Sequence, residues 1–507
     1  MDTVWDLRRH AAAEPGRCAI RCGTEVLTYG ELESLSTRMA AVWRGIGLRR
    51  GDHVATLLGN HPQALAAAWA AWRCGVYLTP VSTALAAGEL AALVIDCGAR
   101  VVVCDAGLGA LAAELPGAVA TDVTWLSVRG PLDRHTALEP LLAQASAEPV
   151  ANEAPGALMM YTSGTTGAPK GVRRPLLAPD WRGTPPFAAD LIALFGVGGD
   201  DVRYLSTAPL YHAAPLRFAL AITAGGGTVH VMDRFDATSA LDILQRERIT
   251  HSQWVPAMFQ RLLALPGPLR ASFRAPAHRS AIHGAAPCPA ELKRAMIDWW
   301  GPIVLEYYSG SEGVGLTLID SADALSHPGS VGRARKGTLH IVDEAGRDVP
   351  AGTTGLVCFS GVAPFEYHNA PEKTAARTLP QGRQSFGDLG HVDSEGFLYL
   401  TDRLDDMIIS GGVNLYPQEI EAAIRAVPGV WDCAVVGVPD EQFGERPVAF
   451  IVPVRGKRDV DLQDAVRQHC ERNLGRYKRP DAIFVAAELP RSPTGKLLRR
   501  ELRRLIP

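Results

Sequence analysis

The sequence predicts an α/β fold with two domains, a large N-terminal domain and a small C-terminal one. Through the first half of the chain, short apolar β-branched runs alternate with Ala/Leu-rich helical patterns. This alternation is typical of parallel-rich sheets covered by helices, in a domain of several subdomains. Near residue 400 the pattern changes, and about a hundred residues of mixed strands and helices follow, enough for one small α+β domain.

The individual elements follow from hydrophobic periodicity and from helix stop signals such as Gly75. The N-terminal predictions are strand 53–58, helix 62–75, helix 89–99, strand 100–104, strand 227–232, helix 240–249 and strand 250–256. The C-terminal predictions are helix 416–427, strand 433–440, strand 447–454, helix 461–474 and strand 481–490. No fixed-period repeat interrupts this order.

Composition excludes several classes of protein. The 507 residues are 47% hydrophobic and carry a net charge of −3, so no basic field favours nucleic acid as a partner. The longest apolar stretch, residues 64–72, is too short to span a bilayer, and the charged N-terminus does not resemble a signal peptide. Nine scattered cysteines, of which only Cys18 and Cys22 lie close together, indicate reduced thiols. We therefore expect a cytoplasmic protein without an integral membrane segment.

The stretch "YTSGTTGAPKG", residues 161–171, indicates a phosphate site. Its glycines let backbone N–H groups turn inward, its hydroxyls add donors, and its lysine adds a positive charge. The spacing is not that of the Walker A loop. A flexible surface loop is the alternative explanation. The candidate phosphate-binding residues are Thr162, Ser163, Gly164, Thr165, Thr166, Gly167 and Lys170.

This stretch closely resembles the signature of the adenylate-forming superfamily, which includes acyl-CoA synthetases, carrier-protein adenylation domains and luciferases. The resemblance covers nearly the whole chain, and its motifs occur in the family's order. They are "LTYGELE" (27–33), "APLYHAAP" (208–215), "HGAAP" (283–287), "YSGSEG" (308–313), the region 387–421, "YKRP" (477–480) and "LPRSPTGKLLRR" (489–500).

The resemblance implies an AMP-forming acid–thiol ligase. A carboxylic acid would attack the α-phosphate of ATP with Mg²⁺ present, pyrophosphate would leave, and the acyl group would pass to the thiol of CoA. A stand-alone enzyme that loads a carrier-protein phosphopantetheine shares these motifs, as does a luciferase-like oxygenase. A non-catalytic nucleotide-binding protein would be expected to lack the C-terminal lysine or the Ser-Glu pair, and both are present. The chain would act as a monomer or homodimer.

The resemblance assigns roles to individual residues. Lys496 would stabilise charge at the reacting phosphorus, and Glu312 would hold Mg²⁺. Tyr308 offers a face for adenine, and the carboxylate of Asp388 can accept both ribose hydroxyls. Further nucleotide or CoA contacts are implied for Gly284, Ala285, Ala286, Glu306, Tyr307, Ser309, Gly310, Ser311, Leu400, Arg403, Gly411, Gly412 and Lys478.

The resemblance also implies a mobile C-terminal domain. The N-terminal domain would span 1–402, the hinge 403–405 with Asp405 as pivot, and the mobile domain 406–507. Three residues depart from the family pattern: Ser309 and Asp402 stand where glycine is usual, and Phe386 stands where threonine is usual.

The acid itself is the least constrained part of the prediction. His212 is the expected catalytic gate to an acyl pocket, and no aspartate is present there to anchor an amino group. A bulky or hydrophobic monocarboxylate is expected, since the motifs resemble those of bacterial ligases for alicyclic, steroid or terpenoid acids, including diterpenoid acids of the platensimycin type. The predicted pocket residues are His212, Trp254, Val255, Phe259, His283, Gly284 and Tyr308.

Overall fold

The structure is a computed structural model. It describes residues 6–119, 122–162, 169–411, 413–454, 459–491 and 497–506. The observed architecture is the α/β fold expected from the sequence, with parallel-rich sheets covered by helices and a small α+β unit at the C-terminal end.

The strands of the described residues are numbered in chain order. They are β1 (Cys18–Cys22), β2 (Glu25–Thr28), β3 (His53–Leu57), β4 (Tyr77–Pro80), β5 (Ala99–Asp105), β6 (Thr124–Val128), β7 (Thr136–Ala137), β8 (Ala157–Leu158), β9 (Met160–Thr162), β10 (Lys170–Arg173), β11 (Arg203–Ser206), β12 (Thr228–Val231), β13 (His251–Trp254), β14 (Ser280–His283), β15 (Val304–Tyr308), β16 (Leu316–Ile319), β17 (Arg333–Lys336), β18 (Thr338–Val342), β19 (Gly355–Ser360), β20 (Glu366–Tyr367), β21 (Thr378–Leu379), β22 (Arg383–Val392), β23 (Leu398–Arg403), β24 (Ile408–Ser410), β25 (Val413–Leu415), β26 (Val430–Asp440), β27 (Gly444–Pro453) and β28 (Ala482–Val485).

The helices of the described residues are numbered in the same way. They are α1 (Asp6–Ala13), α2 (Tyr29–Gly45), α3 (Pro62–Arg73), α4 (Ala87–Asp96), α5 (Ala110–Ala118), α6 (Leu138–Gln144), α7 (Pro186–Phe195), α8 (Ala213–Ala224), α9 (Ala237–Arg246), α10 (Pro256–Leu263), α11 (Gly267–Ser272), α12 (Ala290–Trp300), α13 (Ser321–Ser326), α14 (Pro371–Ala375), α15 (Pro417–Arg425), α16 (Asp459–Asn473) and α17 (Arg499–Arg504). Short 3-10 turns lie at Ala106–Leu108, Pro380–Gly382, Leu404–Asp406 and Arg476–Lys478.

Two large sheets form the N-terminal part of the structure. One has the order β7-β6-β5-β3-β4-β8, and all its strand pairs are parallel. The other has the order β17-β16-β15-β14-β13-β11-β12-β1-β2, with a parallel centre and antiparallel pairs at both ends. The parallel pairing follows from the alternation of strand and helix along the chain, since each helix returns the chain to the same edge.

The nine-stranded sheet separates two cores, because alternate residues of a strand point to opposite faces. On one face, Ile282 of β14 packs with α8 and with the Ala/Trp-rich helix α3. On the other face, Ala281 packs with α10 and α12. Pro256 begins α10 one residue after β13, so the strand ends at Trp254, earlier than the sequence predicted.

The remaining sheets are smaller and mostly antiparallel. β9, β10 and β20 form one sheet, and β18, β19, β21, β22 and β23 form another. After the turn Leu404–Asp406, β24, β25, β26, β27 and β28 form a sheet that packs with α15 and α16. This last unit is the α+β arrangement that the sequence predicts after residue 400.

Candidate active site

The predicted nucleotide residues lie where parallel strands end. β14 ends at His283, directly before residues 284–286, and its parallel neighbour β15 ends at Tyr308, directly before residues 309–313. Ligands of open α/β sheets bind beyond the carboxyl ends of such strands. The two motifs therefore meet at one edge of the nine-stranded sheet.

Tyr308, Asp388 and Arg403 form a connected polar group. The Tyr308 hydroxyl donates to Asp388 Oδ2 at 2.6 Å, and Arg403 Nε lies 2.9 Å from Asp388 Oδ1. β22 and β23 place Asp388 and Arg403 opposite each other, and Asp388 is buried. The Asp388 carboxylate raises the pKa of Arg403. The pKa of Tyr308 is also raised, mainly by burial and to a smaller extent by the same carboxylate. The two carboxylate oxygens of Asp388 are thus each bound by a neighbouring side chain, which orients the carboxylate.

Phe386, one of the departures from the family pattern, packs on this group. Its ring stands edge-on to that of Tyr308, with centroids 5.4 Å apart. A Cβ at Gly310 would lie 2.6 Å from both the Phe386 ring and Glu312 Oε2. A side chain at position 310 would displace these groups, and its absence lets the Glu312 carboxylate lie close to the aromatic pair.

Tyr367 links the predicted metal ligand to the predicted phosphate lysine. Its hydroxyl donates to Glu312 Oε1 at 2.7 Å, and the ammonium of Lys170 lies 5.2 Å from the centre of its ring. β20 and β10 are paired, which brings Tyr367 and Lys170 onto one small sheet. Sequence reasoning missed Tyr367, because a tyrosine in "FEYHN" carries no chemical signal of its own.

Replacing Tyr367 with phenylalanine is expected to weaken adenylate formation without unfolding the protein. The lost bond is to a carboxylate, and such bonds contribute about 1.5–3 kcal/mol, so the Mg²⁺ concentration needed for half-maximal rate should rise roughly tenfold. The measurement is pyrophosphate exchange as a function of Mg²⁺. Tyr399→Phe, which removes a similar bond to Asp393, is the matched control. An unchanged Mg²⁺ requirement in Tyr367→Phe would contradict the link between Tyr367 and the metal site.

The segment 284–286 approaches β15 closely. A Cβ at Gly284 would lie 2.8 Å from the backbone oxygen of Tyr307, so only glycine fits there. Ala285 adopts a φ of 70°, in the left-handed region that non-glycine residues rarely occupy. Strained backbone of this kind clusters at ligand sites.

The predicted acyl-pocket residues do not all lie in one core. Trp254, Val255 and Phe259 belong to the core formed with α10 and α12, and the buried His283 ring packs edge-on against Phe259 at 5.2 Å. Gln253 points to the opposite face, because it alternates with Trp254 along β13. Tyr308, by contrast, packs against the core that contains Phe386, so the structure does not bring all the predicted pocket residues together.

The face below α8 carries a polar chain that sequence reasoning missed. Tyr204 donates to Gln253 Oε1 at 3.0 Å, and Gln253 Nε2 donates to the Tyr307 hydroxyl at 3.3 Å. Phe195 and Phe218 pack on the Tyr307 ring. Glu306 points away from Tyr307 and pairs with the buried Lys293, so its carboxylate is already occupied inside the core.

His212 stands at the N-terminus of α8. Burial lowers the pKa of its ring to about 4, so the imidazole is neutral at pH 7. The buried Nε2 atom has no hydrogen-bond partner among the described residues. A neutral ring at this position can gate an apolar group without bringing a charge into contact with it.

Asp402 connects the predicted N-terminal domain to the C-terminal one. Its Oδ2 accepts from the backbone N–H of Gln418 in the first turn of α15 at 3.0 Å. Burial raises the pKa of Asp402 to about 6. Farther along, Arg499 contacts both Asp406 and Glu421. The link at 403–405 is therefore bordered by polar contacts on both sides.

The remaining predicted site residues are only partly described. Lys478 pairs with Glu419 at 2.5 Å, and the Gly411 N–H donates to the Phe443 oxygen at 2.7 Å. Leu400 lies in β23 and packs in the core of its sheet. The calls on Ser163, Gly164, Thr165, Thr166, Gly167, Gly412, Lys496 and the side chain of Asp405 lie outside the described residues.

All nine cysteines lie within the described residues and are free thiols. Burial raises the pKa of Cys22, Cys74 and Cys104 to about 12 in each case. Burial also raises the pKa of Cys288, which follows the 284–286 segment, well above its usual value. The thiols are therefore protonated at neutral pH.

Tyr308, Glu312, Asp388 and Arg403, which the resemblance to adenylate-forming enzymes singles out, take part in two polar groups of side chains. Comparison with known proteins assigns the family. The family profile of AMP-binding enzymes matches residues 7–366, and that of the AMP-binding enzyme C-terminal domain matches residues 419–496. The chain belongs to the AMP-binding enzyme family and is an acid–thiol ligase of the adenylate-forming type.

Similar proteins span almost the whole chain. A long-chain-fatty-acid–CoA ligase of Mycobacterium tuberculosis is 35% identical, covering 98% of this chain and 97% of the relative. A fatty acid–[acyl-carrier-protein] ligase of Streptomyces coeruleorubidus is 31% identical, covering 97% and 94%. The crystal structure of ATP-bound MatB from Rhodopseudomonas palustris is 29% identical and superposes with a TM-score of 0.83, covering 99% of this chain and 98% of that one. Among the described residues, no helix is long and apolar enough to cross a membrane.

Proposed function

We propose that this chain activates a bulky or hydrophobic monocarboxylic acid as its acyl-adenylate and transfers the acyl group to CoA. The observation that carries the proposal is the convergence of two polar groups at one sheet edge. Tyr308, Asp388 and Arg403 suit a nucleoside, while Glu312 and Lys170 suit a metal-bound polyphosphate. ATP has these two parts in series, and the relatives' names support CoA as the acceptor.

Glu312 is the protein residue that would hold Mg²⁺. Within the described ranges, no cluster of three or more His, Cys, Asp or Glu side chains could hold a metal ion. A Mg²⁺ ion at Glu312 would therefore take most of its ligands from phosphate oxygens and water, as Mg²⁺ commonly does with nucleotides. Bound there, the ion would neutralise charge on the leaving pyrophosphate.

The first half-reaction would join the acid to the α-phosphorus. An acid carboxylate oxygen attacks that phosphorus, the bond to the bridging oxygen breaks, and pyrophosphate leaves. Lys496 would meet the charge that develops between the reactants, and Lys170 would meet the charge on the leaving group. In the second half-reaction the CoA thiol attacks the acyl carbon, loses its proton, and releases AMP.

The acyl group would lie on the α8 face of the sheet. His212 enters from the start of α8, and the rings of Phe195, Phe218 and Tyr307 supply an apolar surface. Aromatic surface of this kind favours an acid with a bulky apolar body. The relatives' names include fatty-acid ligases, which supports a hydrophobic substrate class.

The deciding experiment is pyrophosphate exchange over a panel of carboxylic acids, followed by a thioester assay with CoA. We expect acid-dependent exchange, strongest with bulky hydrophobic monocarboxylates, and CoA-dependent release of AMP. No exchange with any acid would refute the adenylation proposal. Exchange followed by thioester formation only on a phosphopantetheinyl carrier protein would favour the carrier-loading alternative, which the Streptomyces coeruleorubidus relative supports.

The two half-reactions would use different orientations of the C-terminal domain, with a pivot at Asp405. The 3-10 turn Leu404–Asp406 lies between β23 and β24 with no sheet pairing of its own. Asp405→Pro is expected to keep pyrophosphate exchange and to slow thioester formation about tenfold or more, because proline fixes the φ angle that a hinge must change. Single-turnover assays of each step provide the measurement. Equal loss of both steps would contradict the hinge.

A further inference from the structure

Two arginine side chains hold the backbone that carries Glu312. Arg174 Nη2 donates to the backbone oxygens of Glu312 at 2.5 Å and Gly313 at 2.9 Å. Arg217 Nη2 donates to the backbone oxygen of Ser311 at 3.0 Å. Three consecutive carbonyl groups, those of residues 311–313, are thus bound by guanidinium groups from two different elements.

The two arginines come from elements that border the proposed site. Arg174 directly follows β10, the strand that carries Lys170, and the Tyr77 hydroxyl donates to its backbone oxygen at 2.8 Å. Arg217 lies in α8, the helix that His212 begins. The contacts therefore connect the loop at 311–313 to both the phosphate side and the acyl side of the site.

The loop is also closed on itself. The Gly313 N–H donates to the Gly310 oxygen at 3.0 Å, and the Ser309 hydroxyl donates to the Gly315 oxygen at 2.7 Å. Gly313 has a φ of 61°, and a Cβ on it would lie 3.0 Å from Arg174 Nη2. The glycine thus allows the guanidinium to approach the loop closely.

Burying the two guanidinium groups is unfavourable for their positive charges. Burial lowers the pKa of Arg174, and burial together with the positive charge of Arg174 lowers the pKa of Arg217 to about 10. Two cations placed together and bonded to neutral carbonyl groups do not form a stabilising ion-pair network. Glu312 is the carboxylate that acts on both arginines, while Asp190 also acts on Arg174.

We propose that Arg174 and Arg217 are positioning residues for Glu312. By fixing the backbone at residues 311–313, they hold the Glu312 carboxylate where it would meet Mg²⁺ and, through β10, set its distance from Lys170. The inference rests on the proposed function for the role of Glu312. Neither arginine touches the reacting atoms in this scheme.

The test uses Arg174→Met and Arg217→Met, which keep side-chain bulk and remove the donors. Both variants should need about ten times more Mg²⁺ for half-maximal pyrophosphate exchange, with a lower maximal rate and an unchanged KM for the acid. Mn²⁺ binding, measured by electron paramagnetic resonance with a non-hydrolysable ATP analogue, should weaken to a similar degree. An unchanged metal requirement in both variants would overturn the proposal.

Arg38→Met is the matched control. Arg38 also donates to backbone oxygens, at 3.1 Å to Leu142 and 2.6 Å to Ala145, in a part of the chain away from Glu312. It should lower the melting temperature without changing the metal requirement. If the Arg174 and Arg217 variants behave as Arg38→Met does, their role is structural and the proposal is wrong.

Two further arms keep the test decisive. Arg174→Lys and Arg217→Lys keep the positive charge but lose the guanidinium geometry. If the methionine variants do not fold, the Mg²⁺ concentration that the lysine variants need for half-maximal exchange is measured instead, and an unchanged value would overturn the proposal. If the unaltered protein shows no acid-dependent exchange, the adenylation proposal has failed. The Mn²⁺ measurement then judges the positioning role alone, since it requires nucleotide and metal but no reaction.

Discussion

Replacing Lys496 with alanine is expected to reduce adenylate formation by about 10²–10³-fold, the usual effect of removing one group that stabilises transition-state charge. ATP binding should persist, because the nucleotide contacts assigned to Tyr308, Asp388 and Arg403 belong to other parts of the chain. The thioester step from added acyl-adenylate should also persist, since that step does not use the lysine in this mechanism. Pyrophosphate exchange, ATP titration calorimetry and a thioester assay separate the three quantities.

Arg500→Ala is the control for this prediction. Arg500 is an exposed cation four positions along the chain, in α17. If Lys496 were only one of several solvated basic residues, the two variants would lose a similar small fraction of activity. That outcome, or full adenylation by Lys496→Ala, would remove Lys496 from the mechanism.

Asp388→Asn is expected to raise the KM for ATP by about 10–100-fold. A charged acceptor for hydroxyl groups contributes about 1.5–3 kcal/mol, and asparagine replaces one of its two acceptor oxygens with a donor. The change also leaves Arg403 without its carboxylate partner. Because Arg403 is itself partly exposed, the loss of folding stability should be only about 1–2 kcal/mol.

The measurement is ATP-dependent pyrophosphate exchange at saturating acid, together with thermal unfolding. Asp348→Asn is the control, because Asp348 pairs at 2.7 Å with Arg383, a buried side chain on the same strand as Asp388. It should cost stability and leave the KM for ATP unchanged. If Asp388→Asn shows the same pattern, Asp388 supports the sheet and does not bind the nucleotide.

Much of the fold could be predicted from hydrophobic periodicity. The strand at His53–Leu57 and the helix at Pro62–Arg73 lie where the pattern places them, since a buried parallel strand and a buried helix both leave long apolar runs. The end of β13 could not be placed as well. Its apolar run continues into α10, and only the proline at position 256 marks the change.

The candidate site was less predictable than the fold. Tyr308 lies far from Asp388 and Arg403 in the sequence, and only the family motifs predicted that the three residues share a site. In the structure, Asp388 contacts both Tyr308 and Arg403. Trp254 and Gln253 are neighbours in the sequence, but their side chains point to opposite faces of the sheet because residues alternate along a strand. A sequence motif alone does not show which face each residue occupies. Tyr367 contacts Glu312 only because β20 pairs with β10, and the sequence does not show that pairing.

The buried thiols have a consequence for the fate of the activated acid. An acyl-adenylate reacts readily with any thiolate, and an enzyme that carried one near its site would acylate itself. Cys288 follows the segment next to Tyr307, yet its sulfur is kept protonated by its surroundings. In the proposed reaction, an acyl-adenylate formed at this sheet edge would meet no thiolate among the cysteines at neutral pH, which would leave its acyl group for the incoming thiol.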